Sequence, residues 1–597
     1  MKQNKLRGQI PEQYKWDLGS LYPGDEGWEK DFGEAGRILE GCVAYSGRLG
    51  EGAGILLEAL EAKDRLWRSA ERLYVYARMR KDEDNRDARY QAMLDRIQAF
   101  MAKASAGLSF FTPEFIEIPE ERLAGFMEAE AGLGRYRHYI DVLLREKAHV
   151  LSEPEENLLA QLSEVTGATG DIFGMINNAD MKFGHIIDED GEEAELTHGK
   201  YIAFMESRDR EVRKSAFTKM HGAYAALRNT LAATYSYNTK YDVVSARIRK
   251  YPSSLEAALS GDNIPVAVYD SLVEAVNGRL GTLHRYLALR QKIMGLDKLH
   301  LYDVYAPLFN IEQEPIPYEG AVSMMKRGLA ALGEEYVETA ARGIRDRWID
   351  VYENEGKTSG AYSFGSYDSN PYILMNYSSK LKDVFTLAHE MGHSMHSWYT
   401  RRSQPFIYGS HSIFTAEVAS TVNESLLMRH LVSEEGDPER KKYLLGMHIE
   451  EFRTTLFRQT MFAEFERLTH EAVERGEALT ADRLSEDYYA LNRKYFGPDT
   501  ALDEEIAAEW ARIPHFYRAF YVYKYATGYS AATAISKGIL EGGAPAAEAY
   551  ISFLKTGESD DPIELLKIAG VDMSRPEPVL SALDTFEGLV SELEELV

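Results

Sequence analysis

The chain has 597 residues, of which 45% are hydrophobic and 11% aromatic, a composition that excludes a disordered chain and is long enough for a large core. Its 95 acidic against 68 basic residues leave a formal charge of −27, which argues against nucleic acid as a partner, because binding a phosphate backbone needs a basic surface. A single cysteine, Cys42, excludes an internal disulfide and a thiolate metal site, and points to a reducing cytoplasm.

The start, Met1–Lys15, has no apolar stretch of signal-peptide length, and no run of about 18 apolar residues occurs that could cross a membrane. The stretches Gly54–Met79, Arg86–Leu108 and Asp209–Thr239 place apolar residues three and four apart between charged ones, which predicts helices. Pro113 and Pro119 interrupt that period, and Ser152 is placed to cap a helix with Pro154 and Glu155 in its first turn. Met181–Ile187 and Glu193–Thr197 flank the turn-prone Asp188-Glu189-Asp190-Gly191, a predicted hairpin. Asp303–Gly320, with Pro307, Pro315 and Pro317, reads as a connector, and Gly360–Tyr377 as strand-like. The expected fold is mainly α with a few small strands. Residues 1–198 form an N-terminal helical region with the hairpin, and residues 199–597 a catalytic region.

The chemistry concentrates at His389-Glu390-Met391-Gly392-His393. From Leu381 on, Val384, Phe385, Ala388, Met391, Met395 and Trp398 continue a 3.6-residue apolar stripe, while His389, His393 and His396 share another face. Neutral imidazoles four apart on a helix can both ligate Zn²⁺ at about 2.0–2.1 Å. Glu390 would then act as general base toward a metal-bound water. A solvated His/Glu face is the competing reading. Pro405 and Gly409 break the helix, and a second one is predicted at about Ile413–Val432, with Glu417 and Glu424 off its apolar stripe. Glu417 is the expected third ligand of one zinc per chain, with His396 and His411 as rivals. Glu424, two turns on, either hydrogen-bonds the outer nitrogen of a ligand histidine or is solvated.

HEMGHSMH, followed by FTAE (Phe414–Glu417) and Asn423-Glu424, resembles the M3 metallopeptidases, specifically the oligoendopeptidase F branch. The similarity extends to KWDLGSLYP (Lys15–Pro23), to Ser359–Tyr377, to FRQTMFAEFE (Phe457–Glu466) and to Ile513–Gly528. It implies an elongated helical fold with a deep channel between two halves. It also implies zinc held by His389, His393 and Glu417, with Glu390 catalytic. Met391 stands where many relatives outside this branch have Phe, with no evident chemical consequence.

Peptide hydrolysis develops an oxyanion that needs hydrogen-bond donors. Read as one helix, His515–Tyr525 would line Tyr517, Tyr521 and Tyr525 along one face behind His515, although such aromatic stripes also build ordinary cores. In M3 peptidases a His and tyrosines of this region assist the transition state. The resemblance therefore carries His515, Tyr517 and Tyr521 over as catalytic and Tyr525 as substrate-binding. Tyr372–Tyr377 is expected to offer a strand edge to an extended peptide, with Tyr372 and Tyr377 at the substrate, unless it is a buried hairpin. The expected function is a zinc-dependent endopeptidase cleaving short unstructured oligopeptides. The alternatives are an exo-acting zinc peptidase (dipeptidyl carboxypeptidase or aminopeptidase) and a catalytically inactive peptide-binding scaffold.

Overall fold

The computed structural model describes residues 5–311 and 314–597. Residues 1–4 of the Met1–Lys15 stretch and 312–313 of the expected connector lie outside the described residues. The helices that matter below are α1 (Asp25–Val43), α2 (Ala53–Glu83), α3 (Ala88–Gly107), α4 (Ala168–Met175), α5 (Arg210–Ala226), α6 (Arg228–Ile248), α7 (Leu381–Ser403), α8 (Ile413–Glu434), α9 (Arg458–Glu474) and α10 (Tyr523–Gly542). The strands are β1 (His185–Ile187), β2 (Glu193–Glu195), β3 (Ile349–Asp350), β4 (Tyr362–Phe364) and β5 (Tyr372–Leu374). The protein is mainly helical. Among the described residues no helix is long and apolar enough to cross a membrane.

Side chains close several helix starts. Asp87 caps α3 by accepting the Arg89 N–H, and Asp209 caps α5 by accepting that of Glu211. Glu155 reaches back to the backbone N–H of Ser152 at 3.0 Å, the returning half of a capping box at the helix Glu153–Thr166. The period predicted through Asp209–Thr239 is interrupted at Leu227 (φ −106°, ψ 10°), which divides α5 from α6.

The chain folds into two compact units, each assembled from three separated segments. The first comprises Met1–Ala148, Gln313–His430 and Ile535–Gly570; the second comprises His149–Glu312, Leu431–Ala534 and Val571–Val597. This grouping cuts across the sequence division at 198/199, because helices pack sideways onto partners distant in the chain.

In the first unit, α2 packs on α1 and α3 around Trp28, whose Nε1 donates to the Leu73 carbonyl at 2.8 Å. Cys42 is buried on α1, its thiol against the Ala62 carbonyl. A three-stranded sheet lies against α7 in the order β3-β5-β4, with β3 parallel and β4 antiparallel to β5. This corrects one expectation. The strand around Tyr372 is the central one, so both its edges are paired and it offers none to a peptide. Tyr372 and Tyr377 are buried, and their hydroxyls donate to the carbonyls of Asp17 at 2.6 Å and Ile316 at 2.8 Å. Both phenols brace the fold. The free edge next to α7 belongs to β4, where Ser363 Oγ lies 2.8 Å from Ser394 Oγ of α7.

In the second unit the hairpin forms with Ile186 opposite Ala194, shorter than predicted. Its turn closes through Asp188, whose Oδ1 accepts the N–H groups of Asp190 and Glu192. The core runs between α6 and α9, where buried Tyr235 meets Thr469 Oγ1 at 2.8 Å and its ring stacks on Phe465.

Candidate metal centre

Helix α7 starts at a dense cap. Asp383 accepts hydrogen bonds from the backbone N–H groups of Ser378 and Lys380 and from Ser378 Oγ, placing a negative charge at the helix N-terminus, where the dipole favours it. Val384, Phe385, Ala388, Met391 and Met395 are buried along the predicted stripe, which turns His389 and His393 onto a half-buried second face.

Helix α8 then approaches unusually closely, and Gly392 is the reason. A Cβ at that position would lie 2.6 Å from the Ala419 carbonyl oxygen and 2.6 Å from Ser420 Cα. Only glycine lets the two backbones touch there. Asn423 fastens the contact by donating from Nδ2 to the Ala388 carbonyl at 3.0 Å, and it accepts the Tyr336 hydroxyl at 3.0 Å. This backbone contact brings Glu417 level with the histidines.

The donor atoms converge. His389 Nε2 and His393 Nε2 stand 3.2 Å apart, and Glu417 Oε2 lies 3.5 Å from each. Ligands held at about 2.0–2.1 Å around a tetrahedral Zn²⁺ stand roughly 3.3 Å from one another. The three residues therefore fit such an ion, and among the described residues they are the group whose donor atoms could share one. Glu424 Oε2 lies 3.1 Å from His389 Nδ1, the outer nitrogen, which orients the ring and turns Nε2 toward the site. Ser420 Oγ donates to Glu417 Oε2 at 3.1 Å.

The charges reinforce one another. Burial alone would lower His389, but the Glu424 hydrogen bond and the charges of Glu424, Glu390 and Glu417 outweigh it and push its pKa up to about 9. Burial would raise Glu417, but the hydrogen bond from His393 and the charges of both histidines bring it down to about 2. Glu390 is only 7% exposed, and that burial raises its pKa against the pull of the two imidazoles. His396 and His411, the rival ligands, lie apart from the three donors. Their rings stack on each other at 3.6 Å, and burial holds both neutral, His396 at a pKa of about 3.

The segment His515–Tyr525 departs from the expected single helix. A short 3₁₀ turn, Pro514–Tyr517, gives way to extended Arg518, left-handed Phe520 (φ 52°) and only then α10. The four-residue register of Tyr517, Tyr521 and Tyr525 therefore does not exist. His515, Tyr521 and Tyr525 nevertheless form a triangle of rings, with centroids 6.0, 5.9 and 5.4 Å apart. Arg518 caps Tyr521 at 4.2 Å, and His515 is lowered by burial and then by the Arg518 charge. Tyr517 stacks instead on Phe173 of α4 at 4.4 Å. The residues to which motif reading gave no role are Gly392, Ser420 and the Tyr336–Asn423 pair. Of these Gly392 carried a signal, because a glycine in mid-helix costs about 1 kcal/mol and asks for a packing reason.

Two histidines one turn apart and a glutamate from a neighbouring helix, with a separate buried glutamate beside them, form a group that could hold a metal ion. The chain belongs to peptidase family M3, whose family model matches residues 203–585, and an Oligopeptidase F model matches residues 114–183. It is 47% identical over 598 residues to oligopeptidase PepF of Bacillus subtilis, covering 100% of this chain and 89% of that protein. The crystal structure of oligoendopeptidase-F from Enterococcus faecium superposes with a TM-score of 0.74 at 38% identity, over 96% of this chain and 99% of the other. A crystal structure from Chlamydophila abortus superposes with a TM-score of 0.94 at 35% identity, over 100% of both chains.

Proposed function

We propose that this metallopeptidase binds one zinc ion per chain through His389, His393 and Glu417 and hydrolyses internal bonds of short unstructured peptides. The observation that carries this reading is the set of three donor atoms spaced 3.2–3.5 Å apart beside buried Glu390. The ion, when bound, supplies Lewis acidity toward water and the scissile carbonyl. Glu390 takes the proton from the attacking water and delivers it to the departing amine nitrogen. Glu424 keeps His389 in the orientation that presents Nε2. His515, Tyr521 and Tyr525 are proposed as donors to the developing oxyanion and the substrate backbone. Tyr517, stacked on Phe173, is proposed to support them from behind. An extended substrate is proposed to pair with the free edge of β4 in place of the buried β5.

Such pairing needs unsatisfied backbone N–H and C=O groups, which a folded protein has already paired internally. The names of the relatives, oligopeptidase and oligoendopeptidase, agree with peptide substrates. A cytoplasmic place of action is proposed with this reading, on the strength of one free, buried cysteine. The test is a peptide blocked at both ends, offered alone and within a folded carrier. Internal cleavage of the free blocked peptide and resistance of the carrier are expected. Cleavage only when an end is unblocked would instead establish the exo-acting alternative.

A further inference from the structure

Glu466 lies on α9, 0% exposed, in the second unit. Its Oε1 accepts the backbone N–H of Phe520 at 3.0 Å, while Oε2 has no hydrogen-bond partner among the described residues. Among the described residues no Lys or Arg forms an ion pair with it. Burying a carboxylate this way is costly unless the group stays neutral. Burial, with Asp242 nearby, pushes its pKa well above the usual carboxylate range, after allowance for the Phe520 hydrogen bond that opposes it.

Its partner is equally unusual. Phe520 is a bulky residue at φ 52°, a left-handed conformation that is costly for such a side chain and persists only where the surroundings impose it. The Phe520 ring is anchored against His470 at 4.4 Å and Tyr269 at 5.8 Å, which leaves its buried N–H needing an acceptor. Two costly features thus meet at one peptide group. That group lies between His515 and Tyr521, on the irregular stretch that sets the geometry of the ring triangle.

We propose that Glu466 is a positioning residue, whose carboxyl group clamps the left-handed Phe520 peptide and so fixes His515, Tyr521 and Tyr525 relative to one another. The proposal rests on the reading of that triangle as substrate-facing donors. The clamp needs only a hydrogen-bond acceptor, so charge is not required. Glu466→Gln keeps a neutral acceptor and should turn over peptide within about threefold of the parent. Glu466→Leu has similar volume but no acceptor; its kcat should fall about 100-fold, the effect of a misplacement near 1 Å, with KM and zinc content little changed. Its crystal structure should show Phe520 out of the left-handed region and the ring triangle altered.

The proposal is overturned if the kcat of Glu466→Gln falls about 100-fold, a result readable even if Glu466→Leu does not fold. It is also overturned if Glu466→Leu keeps the Phe520 conformation and the triangle. His515→Ala, measured alongside, tests the underlying reading alone. Unchanged kcat there removes the role of the triangle, whereas the position of Phe520 in Glu466→Leu decides the clamp without reference to turnover.

Discussion

The α7–α8 pair and the loop His515–Tyr525 bring their side chains together by opposite means. In the helix pair, regular backbone does the placing. A four-residue interval sets His389 beside His393, and one glycine contact brings Glu417 to both. In the loop, the backbone abandons regularity, and His515, Tyr521 and Tyr525 meet only because Phe520 turns left-handed. A site on regular elements survives loss of its ligand. A site on a strained loop depends on the side chains that hold the strain.

The sharpest test of the first half of that comparison is metal removal. Chelation should abolish peptide hydrolysis and leave the far-ultraviolet circular dichroism nearly unchanged, because the Gly392 contact and the Asn423 bond need no ion. Wholesale unfolding would mean that the ion, and not the helix contact, assembles the pair.

Glu390→Gln comes next, with an expected loss of about 10²–10⁴ in kcat, the usual contribution of a general acid–base group. Metal content, measured by elemental analysis, should stay at the parental level, since Glu390 is not among the three converging donors. Loss of metal in this variant would move Glu390 into the ligand set.

Gly392→Ala should weaken zinc binding at least tenfold in a competition titration and destabilise the fold by about 1–3 kcal/mol, because the added methyl meets backbone that cannot yield. Parental affinity would show that the close approach of α7 and α8 is not what sets the Glu417 position.

Glu424→Gln should cost about 10–100-fold in zinc affinity, the effect of losing the group that orients a ligand imidazole. It also changes the pH response. Metal-free His389 stays protonated up to about pH 9, and zinc requires the neutral ring. Affinity should therefore rise with pH through the neutral range, with about one proton released on binding. Removing the Glu424 charge lowers the His389 pKa and flattens that rise. Calorimetry in buffers of different ionisation enthalpy measures the proton directly, and an unchanged release would dismiss the Glu424 contact.

The smallest effect serves as the control. Gly538 lies on α10 with nothing within 4 Å of the position its Cβ would take. Gly538→Ala should stabilise the protein by about 0.5–1 kcal/mol in a thermal melt, opposite in sign to Gly392→Ala. Destabilisation there would show that helix glycines in this chain act through something other than space.

What the sequence by itself determined is what short-range periodicity encodes. The stripe from Val384 to Met395 and the interval from His389 to His393 settle a helix with two converging imidazoles, because a helix converts spacing into direction without help from the rest of the chain. The second helix with Glu417 and the hairpin turn at Asp188 were legible for the same reason. Tertiary structure decided the rest. Tyr372 became the centre of a sheet because β3, the first strand of the same stretch, pairs with the edge of β5 that β4 leaves open, and no local pattern distinguishes a central strand from an edge. Glu424 acquired its partner only when Gly392 drew α8 against α7. The loop after Pro514 could not be read as a helix or a turn, since the left-handed Phe520 is favoured by nothing in its own sequence and is sustained by a carboxyl group on α9, 54 residues earlier.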